Sequence, residues 1–391
     1  MGWFGLSRGL FTYEEALSFV DLKLLGLLIG FMIFMEVTER SGIFRALALH
    51  ALNVARSNPR RLFFIVCFTS AAMSMFLSDQ PAILLIIATM AIITRLTGLD
   101  PVPYFISATI MVNVGGISTL IGSTSNMVIG VESGLSFNDF IISLLPCEIA
   151  LWVLTALILY HYYKPRLKPV QSEEKSFSRY DPWAGIENRK RFYLSILLIV
   201  LLFASLISAE SLGLTPEALT IGFAILALAL SKLDTSEIFG RLDWDTIFFL
   251  AGFFFIIKGL NKTGVLVFLS QQVLAISGGN IVVLTILILW FSGISSMAFS
   301  NTAVALTFIP ILRGLHVSNS SSSWMALILG TNLGGAATPL SGSVVLMTIG
   351  ALKREKIETS FSEFSKPGVI TSLIQLGFST VYLILRFGLS G

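Results

Sequence analysis

Long apolar runs separated by short charged segments dominate the chain, and their lengths predict its elements. Full spans are predicted over 21–38, 103–130, 139–163, 192–209, 216–232, 244–260, 324–350 and 364–387, since a helical crossing needs about 20 mostly apolar residues. Two further stretches, 62–95 and 281–313, are each long enough for two helices. Both are broken in the middle, by Ser78-Asp79-Gln80-Pro81 and by Ser300-Asn301-Thr302. They read as re-entrant hairpins that enter and leave on one side. Segments 43–56 and 265–277 are shorter and are expected near an interface. The pattern predicts an all-α polytopic membrane protein.

Positive charge gives the sidedness. With both hairpins re-entrant, loops 39–61, 164–191, 231–243 and 351–366 share one side and carry 5, 8, 2 and 4 Lys or Arg. Arg95 beside the first hairpin brings that to 20 of 26, against Arg8, Lys262, Arg313 and Arg386 opposite. The rich side is expected to be cytoplasmic, in the plasma membrane. No cationic n-region with a small-residue cleavage site is read at the start, so no signal peptide is expected.

Composition narrows the function. Of 391 residues 54% are hydrophobic and 13% charged, with mean hydropathy +0.84. An average soluble domain carries about 25% charged residues, so an ordinary soluble enzyme and a disordered chain are excluded. The net charge of +3 is no nucleic-acid signal; the expected surroundings are membrane lipid. Cys67 and Cys147 read as small buried hydrophobes. His50, His161 and His316 are scattered without HExxH, and no GxxxxGK[ST] is present. No enzyme and no cofactor is expected beyond a coupling Na⁺ or H⁺.

The chain repeats itself around the linker 164–191. Asp21, Gly30, Gly42, Ser70, Ser74, Met75 and Ser78 recur 222 residues later as Asp243, Gly252, Gly264, Ser292, Ser296, Met297 and Ser300. Asn113-Val-Gly-Gly matches Asn332-Leu-Gly-Gly, and Ser136-Phe-Asn-Asp-Phe matches Ser360-Phe-Ser-Glu-Phe. The first hairpin opens from the cytoplasm and the second from outside, so the repeat is predicted to be inverted, 1–163 against 192–391. Spans 192–209 and 216–232 have no partner in the first half, which is expected to lack two scaffold helices.

Two kinds of constellation carry chemistry. At each tip one half-helix ends and another begins, offering free carbonyls and free N–H groups around a cavity. Asn113-Val-Gly-Gly-Ile-Ser-Thr-Leu-Ile-Gly-Ser-Thr-Ser-Asn126 and Asn332-Leu-Gly-Gly-Ala-Ala-Thr-Pro-Leu-Ser-Gly-Ser343 read as unwound mid-membrane turns, because paired glycines, hydroxyls and Pro339 weaken a helix. Asp79 at a tip would cost roughly 2.5–3.5 kcal/mol near the bilayer centre if unpaired, so it reads as functional. Glu36, Lys23, Asp245, Lys258 and Glu148 are expected nearer span ends, snorkelling or paired.

At these constellations the sequence resembles the ion transporter superfamily. That group includes arsenite permeases, D-type Na⁺/H⁺ antiporters, citrate–metal transporters and divalent-anion/Na⁺ symporters. Asn113-Val-Gly-Gly-Ile-Ser-Thr-Leu-Ile-Gly resembles the permease and antiporter pattern; Ser300-Asn301-Thr302-Ala303 and Ala337-Thr338-Pro339 resemble the symporters. The resemblance implies an elevator mechanism, with a transport domain of 62–130 plus 281–350, a scaffold from the remainder, and a homodimer. It implies one ion site at Ser78, Asp79, Ser118 and Thr119 and another at Ser300, Asn301, Ala337 and Pro339. The solute is then expected near Thr302, Thr338 and Asn126, with Asn113 and Asn332 in the same site. The expected function is ion-coupled transport of a small inorganic oxyanion or metalloid, arsenite-like. The alternatives are a Na⁺/H⁺ antiporter, with Asp79 exchanging the cations, and a dicarboxylate or sulfate symporter.

Overall fold

The computed structural model describes residues 12, 15, 19–46, 50, 58–168, 186, 188–314, 321–357 and 359–388. The interfacial segment 43–56, most of the linker 164–191 and the region before residue 15 lie largely outside the described residues. Those that are described form helices without a strand.

The first half holds α1 (Leu22–Glu39), α2 (Pro59–Leu77), α3 (Asp79–Thr97), α4 (Val102–Gly115), α5 (Thr124–Ser133) and α6 (Phe137–Tyr163). The second opens with α7 (Arg189–Leu212), α8 (Pro216–Ser231) and the short α9 (Thr235–Phe239). It continues through α10 (Trp244–Lys262), α11 (Val265–Ser277), α12 (Ile281–Ser296), α13 (Asn301–Gly314), α14 (Ser321–Gly334), α15 (Ser343–Arg354) and α16 (Phe361–Leu383). A π turn, Ile384–Gly388, ends the described chain. By length and composition α2, α6, α7 and the last helix, Phe361–Phe387, can each cross a membrane.

The helix breaks fall where the polar clusters stand. α2 stops at Leu77 and α3 restarts at Asp79, with Ser78 between them. α12 ends at Ser296 and α13 starts at Asn301. α4 and α5 are separated by 116–123, and α14 and α15 by 335–342. The matched Ser-Phe-x-acid segments begin α6 and α16 with the same cap. Asp139 N donates to Ser136 Oγ and Glu363 N to Ser360 Oγ, both at 3.1 Å; each bond satisfies an N–H that the first turn leaves open.

The core sits on α4 and α14, which are buried along almost their whole length. α4 packs on α2, and α14 on α12. Both contacts are backbone-close: a side chain at Gly115 would run into the Ala71 carbonyl, and one at Gly334 into the Gly293 carbonyl. Small residues permit such approach where lipid offers no hydrophobic drive between helices. α1 packs mainly on α8. Large apolar side chains face outward from the periphery, including Ile225 at 63% and Phe248 at 70% exposure, as suits contact with lipid rather than water.

Candidate functional site: a cavity bounded by four helix N-termini

Each helix that restarts after a break begins at the same place. The first turns of α3 (Asp79, Gln80), α5 (Thr124, Ser125), α13 (Asn301, Thr302) and α15 (Ser343, Val344) all line one cavity of about 260 Å³. About half a positive charge and first-turn N–H groups without an intrahelical partner collect at each N-terminus, although Ser123 Oγ already takes Asn126 N on α5 and Ser300 Oγ takes Ala303 N on α13. Ser78, Ser300 and Asn113 add hydroxyls and an amide. Among the described residues, the only basic side chain on the wall is Arg241. It lies with Glu36, Glu39 and Asp243 where the end of α1 meets the loop before α10. The inner part therefore offers dipoles, hydroxyls and amides with a single ionisable group, Asp79.

Asp79 is 8% exposed, and its Oδ1 accepts from Ser74 Oγ at 3.0 Å. It follows Ser78, whose backbone is held at φ 69° and ψ 165°, a region that costs a residue with a Cβ about 1–3 kcal/mol. The counterpart tip differs. Ser296 Oγ and Asn301 Oδ1, which occupy the positions of Ser74 and Asp79 in the repeat, are buried with no hydrogen-bond partner. Asn301 Nδ2 donates to Asn113 Oδ1 at 3.3 Å, linking the second tip to α4. Gln80 Nε2 donates to Ser343 Oγ at 3.0 Å, linking the first tip to α15.

Each tip rests on the second glycine of a Gly-Gly pair. A Cβ on Gly116 would lie 3.2 Å from Asp79 Oδ1, and one on Gly335 would overlap the Asn301 side-chain amide. Each unwound segment also ties itself to its hairpin. Thr119 Oγ1 donates to Met75 O at 2.9 Å and Thr338 Oγ1 to Met297 O at 2.5 Å. These bonds fill carbonyls that the ends of α2 and α12 leave open.

Of the residues singled out from sequence, Ser78, Asp79, Ser300, Asn301, Thr302 and Asn113 line the cavity. Thr119, Thr338, Asn126 and Asn332 are turned to other protein groups. Asn126 Nδ2 donates to the carbonyls of Gly116 (2.8 Å), Thr119 (2.9 Å) and Ile117 (3.3 Å). Its Oδ1 accepts from Asn332 Nδ2 at 2.8 Å, and Asn332 also donates to Ile328 O. The two asparagines thus brace the first unwound segment and join the halves. Ser118 and Ala337 are wholly buried, and Pro339 is half-buried.

Glu148 corrects an expectation. It lies not near a span end but in the interior of α6, with no exposed surface. Its Oε2 accepts from Ser118 N at 2.5 Å. The unwound segment frees that N–H, and the carboxylate from a neighbouring helix takes it. Sequence reading took Glu36 only as a snorkelling or paired span-end charge and Asp243 only as a repeat position, and it singled out neither Glu39 nor Arg241; all four lie on the cavity wall. Charges at the ends of apolar runs were the only signal for them.

A family model described as "Citrate transporter" matches residues 5–330. The chain belongs to the citrate transporter family. That places it among secondary transporters of the ion-transporter class. An uncharacterized transporter of Mycobacterium tuberculosis is 27% identical, covering 94% of this chain and 87% of the relative. The magnetosome protein MamN of Magnetospirillum gryphiswaldense is 25% identical over 89% of this chain and 79% of its own. Among solved structures, the YdaH transporter of Alcanivorax borkumensis superposes with a TM-score of 0.71, 17% identity, and coverage of 99% of this chain and 89% of that one. The fold of this family member is therefore that of a helical membrane transporter.

Proposed function

We propose that the protein is an ion-coupled secondary active transporter of a small oxygen-rich solute, an inorganic oxyanion or metalloid of the arsenite type. The observation that carries this reading is the convergence of four helix N-termini on one cavity whose inner part has no Lys or Arg. N–H groups at helix ends are suited to oxygen ligands, and the lack of fixed cations suits a weakly charged or uncharged polyhydroxylated solute. Coupling is assigned to Asp79, which can hold a proton or a Na⁺ at the tip. Na⁺ at the second tip has Asn301 Oδ1 and Ser296 Oγ as available oxygens.

A carboxylate is the second reading, and the family match supports it. A free di- or tricarboxylate would meet Glu36, Glu39, Asp79 and Asp243 on the cavity wall, so it is expected to enter with much of its charge cancelled by cations.

The hairpins and broken helices form the transport domain in this reading, and α1, α7 and α8 belong to the scaffold of a homodimer in the plasma membrane. Ion pairs support a shared side for these loops: Arg40–Glu237 at 2.6 Å joins loops 39–61 and 231–243, and Arg241 lies 3.8 Å from Glu36 in the last turn of α1. So does the Arg166–Glu363 pair at 2.6 Å. On this topology the lining residues Glu39 and Arg241 lie toward the cytoplasm, which supports an inward-facing state.

The test is uptake into proteoliposomes of arsenite, citrate with and without a divalent cation, and sulfate, each under imposed Na⁺ or H⁺ gradients. Gradient-driven arsenite uptake alone supports the first reading, and citrate uptake the second. Cation exchange with no solute taken up under any gradient would replace both with a Na⁺/H⁺ antiporter.

A further inference from the structure

The half-helices that leave the cavity are paired across the two halves of the chain. α3 packs on α15, and α13 on α5. In each pair both helices start at the cavity and run away from it side by side, and in each the far ends carry an Arg–Glu pair. Arg95, in the last turn of α3, donates from Nε and Nη2 to the two carboxylate oxygens of Glu355, both at 2.5 Å. Arg313, in the last turn of α13, has Nη2 3.0 Å from Glu132 Oε2. It also donates from Nε and Nη2 to the Glu132 carbonyl at 3.3 and 3.1 Å.

The correspondence extends to the chemistry. Glu355 caps the end of α15 and Glu132 lies in the last turn of α5. A carboxylate at a helix C-terminus is opposed by the helix dipole, whereas an arginine there is favoured by it. Each glutamate is also largely covered, at 12% and 13% side-chain exposure. A covered acid in an unfavourable field gains more from an arginine than an exposed pair does; Glu355 takes it through both carboxylate oxygens, Glu132 through one carboxylate oxygen and its own carbonyl. The arginine always comes from a hairpin and the acid always from the broken helix of the other half. On the charge-based topology, one pair lies on each side of the membrane.

We propose that Arg95–Glu355 and Arg313–Glu132 are matched clasps that hold each hairpin to the opposite half of the protein and so set the spacing of the two tips across the cavity. The arginines and glutamates are positioning residues, since none of them lines the cavity. Losing a clasp frees one hairpin's return helix, and only that one, to shift against its neighbour.

The experiment needs no knowledge of the solute. In full-length purified protein, amide hydrogen exchange is followed in the peptides covering 79–97 and 301–314. Arg95→Glu is expected to speed exchange in 79–97 about fivefold, the scale of one well-placed ion pair, and to leave 301–314 unchanged. Arg313→Glu is expected to do the reverse. The charge-swapped pair Arg95→Glu with Glu355→Arg should restore its rate, and Arg313→Glu with Glu132→Arg should move its rate back toward wild type in part, because the bonds to the Glu132 carbonyl are not replaced. Tip spacing is read separately in a Cys67→Ala, Cys147→Ala background as the rate of disulfide formation between Gln80→Cys and Thr302→Cys. That rate should change severalfold in each single reversal and return in the swaps to the same extent. If a reversed variant fails to fold, Arg95→Gln and Arg313→Gln provide the same comparison. Equal exchange changes in both hairpins, swaps that do not move the rates back, or an unaltered disulfide rate would each overturn the proposal. Failure of arsenite or citrate uptake would bear only on the solute.

Discussion

Asn126 offers the sharpest test of how the unwound segment is held. Its amide donates to three backbone carbonyls, two of them within 2.9 Å, and accepts from Asn332. The residue is fully buried, so water does not compete for these groups. Asn126→Asp keeps the shape and the Asn332 contact but removes both N–H donors. It leaves the Gly116 and Thr119 carbonyls facing a carboxyl oxygen. A buried polar group stripped of its partner costs about 1–3 kcal/mol, so two short bonds amount to roughly 2–6 kcal/mol before repulsion is added. Asn126→Ala loses the Asn332 bond as well. It introduces neither a charge nor an oxygen facing the freed carbonyls, so it should be the milder of the two at neutral pH. The assay is thermal unfolding of the purified protein in detergent, followed by loss of the monodisperse chromatographic peak. The prediction is a fall of several degrees for both variants, with Asn126→Asp the more damaged at neutral pH and partly recovered as its carboxyl is protonated in acid. An Asn126→Asp protein as stable as wild type would refute the reasoning, because the three carbonyls would then have other means of satisfaction.

Further perturbations test the tips. Asp79→Asn should abolish the dependence of transport on the proton gradient while the protein still folds, since the amide fills the same volume and Ser74 keeps an acceptor; a wild-type profile of rate against pH would remove Asp79 from coupling. Gly335→Ala should weaken solute binding at least tenfold, because the new methyl displaces the Asn301 amide, whereas Gly377→Ala, with open space around it, should change neither binding nor thermal stability. Ser78→Gly should relieve the strained backbone and leave stability equal or up to about 1 kcal/mol higher, while Ser78→Val should lower it, as judged by the same unfolding assay. Thr119→Val and Thr338→Val should each destabilise by about 1 kcal/mol, the value of one hydrogen bond; if either leaves unfolding unaltered, its bond to Met75 or Met297 contributes nothing.

The breaks in the helices were legible without coordinates. A polar cluster such as Ser78-Asp79-Gln80-Pro81 inside an apolar run, or a Gly-Gly pair followed by hydroxyls, cannot continue a lipid-facing helix, and helices do stop at Leu77, Gly115, Ser296 and Gly334. The caps at Ser136 and Ser360 are equally local, because a serine needs only the N–H three residues on. What each polar side chain does at a break was not legible. Thr302 and Thr338 have the same chemistry, yet Thr302 lines the cavity while Thr338 satisfies the Met297 carbonyl. An asparagine amide suits a solute oxygen as well as a backbone carbonyl, and only the path of 116–123 gave Asn126 three carbonyls to hold. Glu148 was misplaced for a related reason: hydropathy locates a charge along a span, but its cost is decided by a partner, and that partner is the freed N–H of Ser118 on another element. The Arg95–Glu355 contact joins residues 260 positions apart. Local pattern determines where a chain must break and cap itself. Which freed groups meet is decided by packing between distant helices, because hydrogen bonds and ion pairs act over a few ångströms and are indifferent to separation along the chain.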